Sequence, residues 1–103
     1  MIMHGQIVDA LLSLIGTCDN KTSFFEGLLT PSEILEIIQR LNIALCIANK
    51  HTYVYISELL DVSSTTVARV AHTMKTNESY RKSILSFYEI ILQKKIDFPL
   101  RVQ

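Results

Sequence analysis

Tyr53-Val-Tyr-Ile-Ser-Glu-Leu-Leu-Asp-Val-Ser-Ser-Thr-Thr-Val-Ala-Arg-Val-Ala-His72 is the stretch that decides the fold. Two short helices crossing steeply over a tight turn need apolar groups at fixed places. Ile56 and Leu60 supply the inner face of a first helix, and Val62 plugs the turn. Val67 and Val70 supply the inner face of a second, extended by Ala71 and Met74. Ser57 is small where the second helix must cross closely. Asp61 stands at the turn position usually held by glycine, and Asp is one of the few residues that tolerates a left-handed backbone there. Ser63 or Ser64 can cap the second helix. Thr52–Ile56 is β-branched enough to pass for a strand, but no partner strand exists for it.

The outer face of that second helix would carry Ser63, Ser64, Thr65, Thr66, Ala68, Arg69 and His72, followed by Lys75. Short hydroxyls with an arginine and a histidine can enter a DNA major groove, touching phosphates or base edges. The helix start adds an end that favours phosphate. These residues are the candidate DNA-binding set. Lys50 before the motif and Lys75, Arg81 and Lys82 after it add positive charge nearby. The plain alternative is an ordinary capped pair of amphipathic helices.

Working outward, Leu29-Thr-Pro-Ser-Glu-Ile34 gives the clearest boundary. Thr30 and Glu33 form a capping box, Pro31 fits the first helical position, and Leu29 and Ile34 form a hydrophobic staple. A helix is expected from here to about Ala48, apolar on almost every side and so buried on most of them. Upstream, Gln6–Ile15 reads as an amphipathic helix, Gly16–Thr22 as a break and Ser23–Leu28 as a short helix. Downstream, Ser79–Lys95 reads as a last helix with Lys94 and Lys95 suiting its C-terminal dipole. The chain from Asp97 is expected to be loose.

The 103 residues are 49% hydrophobic and 19% charged, with zero formal net charge. A domain this short buries only about 60–70% of its unfolded surface, so the apolar excess suggests an oligomer. Residues 1–60 carry three basic and six acidic groups; residues 61–103 carry seven basic and four acidic. The positive end is the one with the two-helix motif, the sign a phosphate-facing surface requires. Cys18 and Cys46 have no metal-ligand spacing, and His4, His51 and His72 are scattered. No nucleophile–base, paired-carboxylate or phosphate-loop pattern is present, so an enzyme is not expected. The first residues lack a basic leader and Asp9 interrupts their apolar run; no signal peptide or membrane span is expected, and the cytoplasm is the expected compartment.

Phe24-Phe-Glu-Gly-Leu-Leu-Thr-Pro-Ser-Glu-Ile34, Gln39-Arg-Leu41 and Ile56–Val70 together resemble the Trp repressor superfamily, most closely its YerC/YecD-like branch. The resemblance covers about residues 7–85. It implies an all-α fold of about six helices, an intertwined homodimer, and two recognition helices about one DNA turn apart on a palindromic operator. It implies a single domain over residues 1–96, with the helix-turn-helix at about 53–74, and a tail at 97–103. Function then reads as a sequence-specific transcriptional regulator, a repressor, binding double-stranded DNA. The alternative is a dimeric helical interaction module with a degenerate motif.

The resemblance also marks a ligand site. Arg40 and Arg69 match two arginines that hold tryptophan in the repressor, and Thr30 matches as well; Thr73 stands where the repressor has serine. Thr30, Arg40, Arg69 and Thr73 are therefore the candidate effector-binding residues. Val70 stands where the repressor has glycine and would crowd an indole, so L-tryptophan is not the expected co-repressor; no other effector follows from the sequence. Arg69 has three open roles: DNA, a small anion, or an ion pair with Glu58 or another carboxylate. Arg40, on an apolar helix, needs a partner, and an intersubunit ion pair or a ligand would supply one.

Overall fold

The computed structural model describes residues 4–101. It consists of six helices: α1 (His4–Thr17), α2 (Lys21–Leu28), α3 (Pro31–Ala48), α4 (Tyr53–Leu60), α5 (Ser64–Thr76) and α6 (Glu78–Lys94). No strand occurs among the described residues, and Tyr53–Ile56 opens α4. The fold is all-α, as the motif and the periodicity require. The chain divides into two compact units between Ile34 and Leu35.

The first unit holds α1, α2 and the start of α3. Here the break is shorter than expected. Gly16 and Thr17 remain helical because the Thr17 hydroxyl donates to the Leu14 carbonyl at 2.9 Å and the Cys18 thiol to the same oxygen at 3.2 Å. Asn20 then caps α2, which begins two residues earlier than expected, its Oδ1 accepting from Ser23 N at 3.0 Å. The capping box at α3 forms in full. Thr30 N donates to Glu33 Oε1 at 2.9 Å, and Glu33 N to Thr30 Oγ1 at 3.1 Å. The Thr30 backbone and hydroxyl hold the Glu33 carboxyl below its ordinary pKa.

The second unit contains the core: Ile43, Ala44, Leu45, Cys46, Ile56, Val67, Val70, Met74, Ile84 and Ile91. Burying a large aliphatic side chain stabilises a fold by about 1.5–3 kcal/mol, so Ile43, Leu45 and Ile56, all fully buried, dominate this unit. Burial also pushes the Cys46 thiol up to about 11, making it an inert neutral group. Helix α3 is buried over Asn42–Cys46, while Leu35 and Ile37 stay exposed in the single chain.

Three helices here end on a left-handed residue that is not glycine. Lys50 (φ 63°) closes α3, Asp61 (φ 53°) closes α4 and Lys95 (φ 53°) closes α6. The amide after each residue donates to the carbonyl five residues back: His51 to Cys46, Val62 to Ser57 and Ile96 to Ile91, each at 3.1 Å. That is the Schellman arrangement, which satisfies carbonyls the helix leaves open. Asp61 is the position expected to turn left-handed. A β-branched residue there is strained, so Asp61→Val should cost about 1–2 kcal/mol; a thermal melt reads this as a lowered Tm.

Among the described residues from Asp97 onward, the chain is packed rather than loose at Leu100. Leu100 packs against the core, and its backbone is bonded twice to the Asn42 side chain.

Candidate nucleic-acid interface

The turn between α4 and α5 is built from backbone and small side chains. Ser57 donates its hydroxyl to the Val62 carbonyl, and Val62 is half-buried against the core. Ser57 is therefore small for the close approach and also supplies a bond across the turn. From α3, Gln39 Nε2 donates to the Leu60 carbonyl at 2.9 Å, closing the end of α4. From α6, Arg81 Nη1 donates to the Met74 carbonyl at 3.1 Å, in the last turn of α5. The C-terminal end of each motif helix is thus held by a side chain from a flanking helix. Tyr88 adds a third tie: its hydroxyl donates to Asn49 Oδ1 at 2.6 Å, Asn49 Nδ2 meets His51 Nε2 at 2.9 Å, and the His51 ring lies 4.4 Å from that of Tyr55.

Helix α5 turns Val67, Val70, Ala71 and Met74 inward. Its cap is Ser63, whose Oγ accepts from Thr66 N at 3.1 Å. The structure places the sequence-predicted residues as follows. Ser63, Ser64, Thr65, Ala68, Arg69, His72 and Lys75 are exposed; Thr66 is half-buried, its hydroxyl paired with Ser63 at 2.9 Å. Thr65, Arg69 and His72 share one stripe at helical spacing, and Thr76 continues it one turn further. Thr76 escaped the sequence reading although its spacing from Arg69 and His72 marks it. The stripe spans about 16 Å at 1.5 Å per residue.

Arg69 makes no hydrogen bond through its guanidinium and no ion pair among the described residues, so of its three open roles the ion pair with Glu58 or another carboxylate is not formed in the single chain; the one ion pair among the described residues is Lys82–Glu78 at 3.1 Å, within α6. Arg81 points at a carbonyl rather than outward, and Lys82 is tied to Glu78, so the cations near the stripe are Arg69 and Lys75, with Lys50 at the start of the motif.

The effector candidates fall in both units. Thr30 lies in the first unit, its hydroxyl committed to the cap of α3. In the second unit, Arg40 is exposed without an ion-pair partner among the described residues. Thr73 donates its hydroxyl to the Arg69 carbonyl at 3.3 Å, within its own helix. Val70 is packed in the core.

An all-α chain whose second motif helix presents hydroxyls, an arginine and a histidine on a supported, exposed face is a helix-turn-helix protein of the DNA-binding class. A family model described as Trp repressor protein matches residues 4–89. The chain belongs to that family of DNA-binding helix-turn-helix regulators, whose members are not enzymes. Neither the curated proteins nor the solved structures yield a match. No helix among the described residues is long and apolar enough to cross a membrane.

Proposed function

We propose that this protein is a cytoplasmic, sequence-specific transcriptional repressor that binds a palindromic operator as an intertwined homodimer. The observation carrying this reading is the stripe Thr65–Arg69–His72 on α5, exposed and backed by a core that fixes the helix. Thr65, Arg69 and His72 read base edges, Arg69 being suited to guanine. Ser63, Ser64 and Thr66 lie at the helix start, where backbone amides and hydroxyls meet phosphate. Ala68 leaves room beside the stripe or touches a thymine methyl, and Lys75 meets the backbone. The lack of a carboxylate partner for Arg69 favours DNA over the ion-pair role.

Dimerisation is supported by the apolar residues the single chain leaves in water. Ile7, Leu11, Leu12 and Leu14 on α1 are all exposed, as are Leu35 and Ile37 on α3. A soluble protein covers a surface of that kind with a partner. Arg40, without an ion-pair partner among the described residues, then gains an ion pair across the subunits.

Thr30, Arg40, Arg69 and Thr73 remain the positions for an effector, and Val70 argues that it is not L-tryptophan. An indole against α5 needs the space that valine fills, and valine at this position favours the YerC/YecD-like branch. Calorimetry should show no heat of tryptophan binding at micromolar protein; stoichiometric micromolar binding would reverse the assignment.

Selection from a random duplex library at near-physiological salt tests the main reading. The expected product is a palindrome with half-sites about one helical turn apart, bound with an affinity that falls steeply as salt rises. Failure to enrich any sequence would favour an interaction module that keeps the fold without the DNA function.

A further inference from the structure

Asn42 is a buried polar residue in the middle of α3, 3% exposed, with the apolar run Ile43–Cys46 directly after it. A carboxamide in such a place is costly unless paired. Its partners lie 58 residues away in sequence. Leu100 N donates to Asn42 Oδ1 at 2.8 Å, and Asn42 Nδ2 donates to the Leu100 carbonyl at 2.9 Å. One side chain thus receives both backbone groups of one residue, as a neighbouring strand would. The Leu100 side chain packs on the core beside it. The family match ends at residue 89, so the segment that satisfies Asn42 lies outside the matched region, while its receptor lies inside.

We propose that residues 97–101 are a closing strap of the second unit, received by Asn42, and that its docking holds the helix-turn-helix rigid. The route is short. Asn42 lies three residues from Gln39, which closes the end of α4 through the Leu60 carbonyl, and beside Ile43, which is fully buried in the core shared with Ile56 and Val67. With the strap docked, the buried Asn42 carboxamide is satisfied and Leu100 packs on the core. With it undocked, α3 carries an open carboxamide next to the residues on which α4 and α5 rest. The inference is independent of the DNA-binding reading, because it concerns the fold of the free protein.

Amide hydrogen exchange on four proteins tests it: the full chain, a chain ending at Ile96, the full chain with Asn42→Leu, and the two changes combined. Truncation should raise exchange of the α4 and α5 core amides by about ten- to a hundredfold, the consequence of orphaning a buried amide. Asn42→Leu in the full chain should raise it as well, since Leu100 then loses both partners. Combining the changes should cost clearly less than the product of the two single effects, because Asn42→Leu removes the carboxamide that truncation would otherwise orphan. Multiplicative effects, or a truncation that leaves α4 and α5 exchange unchanged, would overturn the proposal. If the truncated chain fails to fold, Leu100→Pro in the full chain, which deletes the amide hydrogen bonded to Asn42, provides the same cycle against Asn42→Leu. Because no DNA is present, the result stands whether or not operator selection succeeds.

Discussion

Replacing Thr65 and Arg69 together by alanine should reduce affinity for the selected operator by about a hundredfold or more, with no loss of thermal stability. A good base contact contributes about 1–3 kcal/mol of discrimination, and two adjacent contacts on one stripe both disappear. The protein itself has little to lose. Both side chains are exposed, and neither makes a tertiary hydrogen bond or ion pair among the described residues. The Arg69 group that is engaged is its backbone carbonyl, bonded by Thr73, and alanine keeps it. Alanine also has the higher helix propensity. Direct titration of operator and scrambled duplex at fixed salt, beside a thermal melt, separates the outcomes. Specific affinity should collapse towards the non-specific level while Tm stays within a few degrees. If operator affinity persisted, α5 would not be the reading helix; if Tm fell with affinity, the stripe would be structural.

The parts of this molecule that the sequence displays are those set by local spacing. The α3 start was legible because three signals coincide in Leu29–Ile34, and the reciprocal Thr30–Glu33 bonds follow from residue type and separation alone. The two motif helices were legible because Ile56, Val67, Val70 and Met74 can share a core only if Asp61 turns between them. What escaped was polar and long-range. Arg81 reads only as positive charge near the motif, and nothing local gives Gln39 or Asn42 a structural role, because the carbonyl each one reaches belongs to another element. The left-handed ends at Lys50 and Lys95 were equally hidden, since lysine gives no local sign of such a backbone. The stripe on α5 was readable except for Thr76, which lies beyond the segment that defines the motif. The gap was one of reach along the chain: caps and faces repeat within a turn or two, whereas Arg81, Gln39 and Asn42 bond carbonyls 7, 21 and 58 residues away.

Introducing glutamate at both Leu11 and Leu14 should convert the protein from dimer to monomer at micromolar concentration, weakening association by about a thousandfold or more. The expectation rests on the contrast between one chain and two. In the single chain Leu11 is 40% and Leu14 51% exposed, on the same stripe of α1 as Ile7. Were the chain a monomer, charges at such positions would alter stability by about half a kcal/mol each or less. In an intertwined dimer the same positions are covered, and two carboxylates per chain would be buried without partners at a cost of several kcal/mol per ion. Sedimentation equilibrium of both proteins across a concentration series decides between these cases. Wild type should sediment at twice the chain mass, and the variant at the chain mass. A monomeric wild type, or a variant that remains dimeric, would remove α1 from the interface. The DNA consequence follows from geometry: a monomer presents one recognition helix, so it should bind a single half-site weakly and no longer distinguish a palindrome from an isolated half of it. Loss of that distinction with the second unit still folded would tie operator recognition to the pairing of two chains rather than to α5 alone.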